Sequence, residues 1–385
     1  MYVMKKRFLH YTKYLIITLL TLGATSCGDE PEPPTPTESE RMVLVYQVAN
    51  NNLSSYSNDD YQEMIAGAGD IGKNNHLLVY RHTRTVSPML VEIKADGIDT
   101  LRIYDTETSS VEISRMVEVI NDAKRYANAE QHGLVLWSHG SGWIQDGISQ
   151  PSDMKRSFGD DRGKRMNNTD LATALEQAGG FDWLYFDCCY MMSVESLYEL
   201  RHAARLFAGS VTELQVPGMP YDRNLKYFFA PGETDLVGAA RSTFEYYLER
   251  IAASPTDQGN NYCTMSVVKA SALDELARVT REVYQAASTS LPSGFEPQRY
   301  SNVRQESCCY FDFGHYVDAL GGGDAFRKAL ADAVLYDAAT PYLRNFPIEE
   351  HCGMSTYILR GPDSYTNRNY QELSWYRDVA SFLNF

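Results

Sequence analysis

Two short apolar segments end in residues capable of covalent chemistry. Leu134-Val135-Leu136-Trp137-Ser138 runs into His139-Gly140-Ser141-Gly142-Trp143, and Trp183-Leu184-Tyr185-Phe186 runs into Asp187-Cys188-Cys189-Tyr190-Met191. A thiolate attacks a carbonyl carbon, and a nearby imidazole can carry the proton between nucleophile and leaving group. Side chains alternate along an extended chain, so Asp187 and Cys189 share one side and Cys188 faces the other. Cys189 is therefore the candidate nucleophile, Cys188 a core residue and His139 the candidate acid/base. The alternative for a single cysteine in a strand is an inert packed thiol. Gly140 and Gly142 let the backbone approach a substrate closely and aim an N–H at an oxyanion. His82, His132, His202, His315 and His351 lack such a context and read as surface or core residues.

Such groups meet only if the elements beneath them run side by side. From Arg41 onward, strand-like runs alternate with helix-like ones. Residues 42–48, 76–80, 100–104, 134–138, 183–188 and 206–213 read as strands, and 59–68, 110–128, 169–178 and 193–204 as helices. This alternation predicts an α/β fold of right-handed βαβ units around a mostly parallel sheet covered on both faces. Ligands in such sheets sit at the carboxyl ends of the strands, where both motifs fall. Beyond Pro217 the pattern loosens: helices are expected over 234–253, 271–287 and 324–335, and strands over 262–268 and 355–359. There is no repeat and no clean linker, which predicts one compact unit with a C-terminal helical or mixed subdomain. The polar loop 142–169 joins the His segment to the Cys segment, and a loop of this length is usually functional.

The chain is 385 residues long with a net charge of −15, which disfavours nucleic acid as a partner and suits cationic substrates. Lys5, Lys6, Arg7 and Lys13 precede an apolar stretch from Tyr14 to Leu22, too short for the roughly 20 residues that span a bilayer. This reads as a secretory signal. It ends in Leu22-Gly23-Ala24-Thr25-Ser26-Cys27, which resembles a bacterial lipobox with Cys27 as the lipidated residue; a chance Cys after an ordinary signal is the alternative. The Pro, Thr, Glu and Ser of 28–40 make an extended tether. The expected organisation is a signal peptide over 1–26, a tether over 27–40 and a catalytic domain over 41–385. The location is then the cell envelope, periplasmic or surface-exposed, with the membrane touched only through the lipid. The seven cysteines do not form a disulfide framework, and no Cys-x-x-Cys or His-Glu-x-x-His run marks a metal centre.

The chain resembles the clostripain family of cysteine peptidases, relatives of caspases, legumain and gingipains. His139-Gly140-x-Gly142-Trp143 and Asp187-x-Cys189-x-Met191 with Val194-Glu195 carry the resemblance. Leu44-Val45-Tyr46 with Asn51-Asn52-Leu53 looks like the family's first strand and turn. Gly353-Met354-Ser355-Thr356-Tyr357 and Trp375-Tyr376 look like its last strand and helix. The resemblance implies a caspase-like α/β/α sandwich and an endopeptidase acting on peptides or proteins, working as a monomer without a cofactor. It implies Cys189 as the residue that forms a thioester, His139 as general acid/base, and the backbone N–H groups of Gly140 and Cys189 as the oxyanion hole.

The resemblance further implies cleavage after Arg or Lys, with Asp187 as a pocket acid and Glu213 as its candidate neighbour. Leu214 and Gln215 follow, so no further acid is adjacent. It implies self-cleavage in the 142–169 loop, where Lys155, Arg156, Arg162, Lys164 and Arg165 are the candidate sites. Asn50 stands where relatives carry an acid, so calcium dependence is left without support. Two competing readings are a catalytically inactive surface binding protein and a cysteine amidase or transpeptidase on the same fold.

Overall fold

The computed structural model describes residues 39–144, 157–254, 261–287, 291–301, 308–360 and 365–383. Nine strands form one sheet: β1 (Ser39–Ala49), β2 (Asn75–Thr83), β3 (Met89–Lys94), β4 (Gly97–Ile103), β5 (Ala129–Trp137), β6 (Phe181–Asp187), β7 (Ala204–Gly209), β8 (Thr264–Lys269) and β9 (Val334–Ala339). Their spatial order is β9-β8-β7-β6-β5-β1-β2-β3-β4. The five central strands, β7 to β2, are parallel, and two antiparallel strands extend the sheet at each edge.

The central strands read as unbroken apolar runs because both faces are covered. In β1, Met42, Leu44, Tyr46 and Val48 face one core layer, and Val43, Val45 and Ala49 face the other. β5 divides likewise into Leu134 and Leu136 against Val135 and Trp137. Helices α2 (Ile113–Ala127), α3 (Asn168–Gln177), α4 (Val194–Leu200) and α7 (Leu273–Ala286) cover the first face. Helices α1 (Ser54–Ala66), α5 (Tyr221–Phe228) and α6 (Leu236–Ala253) cover the second. Each fully buried aliphatic side chain here contributes about 1.5–3 kcal/mol of transfer free energy. The α/β/α sandwich expected from the sequence is the one observed.

Several element boundaries depart from expectation. The strand expected to reach residue 213 stops at Gly209, because Ser210 and Thr212 hydrogen-bond each other and the Thr212 N–H instead of continuing the ladder. The helix expected over 324–335 ends at Ala333, and the chain passes directly into β9. The strand expected over 355–359 is reduced to Ser355–Thr356, paired with Phe311–Asp312 outside the main sheet. Within the 142–169 loop, Phe158–Asp161 and Lys164–Met166 form a hairpin.

The C-terminal region is stitched to the His segment. Trp143 is fully buried, with its ring 4.9 Å from that of Tyr357 and 5.3 Å from that of Tyr370. Buried Glu195 accepts the Thr356 hydroxyl and the Tyr357 N–H, each at 2.8 Å, and burial pushes its carboxyl up to about 7.

Candidate active site

β5 and β6 are neighbours, and their register pairs Trp137 with Asp187. Two residues further along each strand come His139 and Cys189. Parallel pairing thus delivers the imidazole and the thiol to the same sheet edge at the same height. β1 pairs with β5 on its other side, Gln47 opposite Trp137, and brings the Asn50-Asn51-Asn52 turn to that edge.

His139 Nε2 lies 2.8 Å from Asn52 Oδ1. With that oxygen as acceptor, Nε2 carries the proton and Nδ1 keeps the lone pair. Burial lowers the His139 pKa, with nearby Arg165 acting in the same direction and Asp160 opposing, so the ring is neutral at pH 7. The backbone is fixed by Gly159 N–H donating to His139 O at 3.0 Å and by Ser141 N–H donating to Ser157 O at 3.0 Å.

Past Asp187 the chain turns, and Tyr190 takes a left-handed conformation at φ 62°. Cys188 is buried in the first core layer with Leu184 and Phe186, as alternation requires. Cys189 is half-buried, and its Sγ donates toward Leu214 O at 3.8 Å. Burial pushes the thiol up to about 12, and the acids Glu213 and Asp187 push the same way. Thiol and imidazole are both neutral, and among the described residues no hydrogen bond joins them. Gly140 is needed for close approach: a Cβ there would stand 2.6 Å from Cys189 O and 3.0 Å from Cys189 N. The two backbone segments named for oxyanion binding are therefore in contact.

Asp187, two residues before Cys189, is buried. Its Oδ1 accepts the Met219 N–H at 3.2 Å and its Oδ2 the Tyr221 hydroxyl at 2.9 Å. Gly218, at φ 89°, lies against the carboxylate, and a Cβ would come within 3.0 Å of Oδ1. Burial raises the Asp187 pKa. Glu213 is placed differently. Its Oε2 accepts the Tyr262 hydroxyl at 2.8 Å and the Arg344 guanidinium at 3.3 Å, so a cation of this chain already accompanies it. It acts on the Cys189 thiol but does not share Asp187's carboxylate cluster.

Of the basic residues in the 142–169 loop, three are in the hairpin. Arg165 pairs with Asp160 at 2.6 Å, Lys164 with Glu112 at 3.1 Å, and Arg162 donates to Thr106 O at 3.1 Å. Lys155, Arg156 and Cys27 lie outside the described residues. Sequence reasoning missed two groups at this edge. Asn52 holds His139, and its signal was a place in the turn after the neighbouring strand. Asp60, behind Asp187, gave no local signal. Among the described residues no group of three His, Cys, Asp or Glu side chains could hold a metal, and no helix is long and apolar enough to cross a membrane.

A sandwich with these strand ends has the architecture of a caspase-like cysteine peptidase. The model of the clostripain family, Peptidase C11, matches residues 45–338, and the chain belongs to that family of hydrolases. A secreted C11 cysteine protease from Bacteroides thetaiotaomicron, solved with an irreversible peptide inhibitor, is similar at 31% identity and TM-score 0.75, covering 88% of this chain and 98% of that one. An inactive zymogen C11 protease from Parabacteroides distasonis is similar at 29% identity and TM-score 0.76, covering 89% and 99%. A second secreted Bacteroides thetaiotaomicron C11 protease, at 24% identity and TM-score 0.75 over 89% and 99%, shares the fold. No curated protein matches the chain.

Proposed function

We propose that this hydrolase is an endopeptidase in which Cys189 is the nucleophile and His139 the acid/base. The observation that carries the reading is the Trp137–Asp187 register, which aligns the two strand ends, with Gly140 packed on the Cys189 backbone. His139 takes the thiol proton as Sγ bonds to the scissile carbonyl carbon. The N–H groups of Gly140 and Cys189 receive the oxyanion, worth a few kcal/mol in the transition state. The intermediate collapses to a thioester as His139 protonates the departing amine, and water then releases the acid. A buried neutral thiol beside a neutral imidazole favours proton transfer during attack over a standing ion pair.

Asp187, buried two residues before Cys189 and with no ion pair among the described residues, supports cleavage after Arg or Lys. Self-cleavage in the 142–169 loop is part of the reading. The hairpin engages Arg162, Lys164 and Arg165, which narrows the proposed site to Lys155 or Arg156. The description of a similar protease as secreted supports an extracytoplasmic location. Lipidation at Cys27 and a tether to residue 40 ahead of the catalytic domain rest on the sequence pattern.

Purified full-length protein and its Cys189→Ala variant, given a peptide library and a thiol-reactive lysyl or arginyl probe, test the reading. Turnover should fall by about a thousandfold or more and labelling should vanish in the variant. Mass spectrometry should find the wild type, and not the variant, cut at Lys155 or Arg156. A wild type that neither labels nor cleaves any peptide would favour the inactive binding protein, and ligated products with added amines would favour a transpeptidase.

A further inference from the structure

Asp187 does not stand alone. Asp60, on α1, is 1% exposed. Its Oδ2 accepts the Trp137 indole N–H at 2.6 Å, and its Oδ1 has no hydrogen bond among the described residues. Trp137, which donates to Asp60, stands opposite Asp187 in the β5–β6 register, so the two acids lie on the same face of the sheet. Burial raises the pKa of both, and Asp187 adds to the rise at Asp60. The other titratable groups facing the pair are Asp59 and Glu63 of α1, Tyr221 of α5, whose backbone N–H donates to Glu63 at 3.0 Å, Tyr185 of β6, Tyr247 of α6, and the thiols Cys188 and Cys189. The cation acting on this cluster, Arg223, faces Glu63 and is bound to Glu249 at 2.8 Å. Among the described residues none forms an ion pair with Asp60 or Asp187.

Two carboxyl groups in a dry site cannot both ionise without a counter-charge, so the free pair retains a proton. A buried acid with an unused oxygen is costly and calls for an external partner. We propose that Asp60 is a hidden specificity residue: acting through Asp187, it gives the pocket floor a shared charge that a guanidinium or ammonium side chain of the substrate completes. This inference rests on the proposed preference for basic residues. Entry of the cation expels the shared proton to solvent, so basic substrates bind more tightly as pH rises. Asp60 is a positioning residue here, because it meets the substrate only through its neighbour.

The test compares wild type with Asp60→Asn, which keeps an oxygen for the Trp137 N–H. KM and kcat are measured for matched peptides carrying Arg, Lys or the neutral isostere citrulline before the scissile bond. At about pH 8 the variant should show roughly tenfold higher KM for Arg and Lys and little change for citrulline. Without its like-charged neighbour Asp187 ionises more readily, so the pH dependence of KM should move about one unit toward acid. Unchanged KM values and profile overturn the inference, as does an equal loss on all three peptides, the mark of a structural role. In the wild type, calorimetry of benzamidine binding in two buffers of different ionisation enthalpy should detect proton release between about pH 6 and 8, and its absence overturns the inference whatever the variant's folding. A wild type indifferent to basic residues sinks the preference and the inference together. A basic-preferring wild type whose preference survives in Asp60→Asn sinks only the inference.

Discussion

Two buried acids at one sheet edge are treated in opposite ways. Asp161, at the end of the first strand of the hairpin, has both oxygens engaged: Ser109 Oγ at 2.6 Å and Ser110 N–H at 2.9 Å on Oδ2, and Asn50 Nδ2 at 3.0 Å on Oδ1. Burial alone would raise its pKa, but these bonds and the field of His82 hold it below the usual carboxylate value. Asp187, beside Asp60, has one donor per oxygen and a like charge for company. The first acid is a clamp: it ties the hairpin to the turn after β1 and the loop before α2. The second has two donors, a neighbouring acid and, among the described residues, no ion pair. Burial does not distinguish the two acids; the charges beside them do, since Arg162 Nε stands 3.4 Å from Asp161 while Asp187 has Asp60 beside it.

The contrast can be broken experimentally. The largest effect is expected for Asp187→Asn on basic substrates. Losing one member of a buried charge pair costs about 2–5 kcal/mol, or roughly 30- to several-thousandfold in kcat/KM. Steady-state kinetics should show that loss for Arg and Lys peptides and a much smaller one for citrulline. Asn52→Ala comes next: an imidazole freed from its proton acceptor should lose roughly 10- to 100-fold in kcat with little change in KM. A KM-only effect would mean that Asn52 contacts substrate instead of orienting His139.

Asp161→Asn should act on stability, by about 1–3 kcal/mol in denaturant melts, because an amide NH₂ cannot accept from Ser110 N–H. Citrulline-to-Arg selectivity should stay unchanged, and a selectivity shift would erase the distinction between the two acids. The smallest effect is in pH dependence. Asp161, its folded pKa lowered, adds stability above the unfolded value that is lost as pH falls through the folded one. Asp60 and Asp187, their folded pKa values raised, do the reverse: their contribution is full below the unfolded value near 3.8 and is lost as pH rises through the folded values. Thermal melts should therefore decline toward alkali less steeply in Asp60→Asn than in wild type, and toward acid less steeply in Asp161→Asn. Parallel curves for all three proteins would refute the assignment.

The central strands were legible because burial on both faces leaves short continuous apolar runs with no helical period, as in 42–48 and 134–138. The edge strands β3 and β9 were not. Both are short; β3 carries the charged Glu92 within its buried run, and β9, half-covered, follows a helix with no Gly or Pro between them. The His139 and Cys189 pair was legible because each closes such a run. Gly140 was visible in the motif, but the reason for glycine, its close approach to the Cys189 backbone, needed the structure. Asn52 and Asp60 belong to β1's turn and α1, over 75 residues from either motif in sequence, and only the strand order brings them in. Glu213 was read as a pocket acid because nothing local reveals Arg344, which reaches it from 131 positions away.

Trp143 belongs to the segment that carries His139, yet its indole is enclosed by Tyr357 and Tyr370. That gives assembly a direction in time. A chain interrupted at residue 350 would already contain His139, Cys189 and every strand of the sheet, but it would lack both rings that enclose Trp143 and the Thr356–Tyr357 backbone that occupies Glu195. The loop bearing the imidazole acquires these packing partners only once residues 356–370 have joined the fold, more than 200 positions after His139, so a chain that has emerged only to residue 350 does not hold a finished edge beside its own unfolded segments.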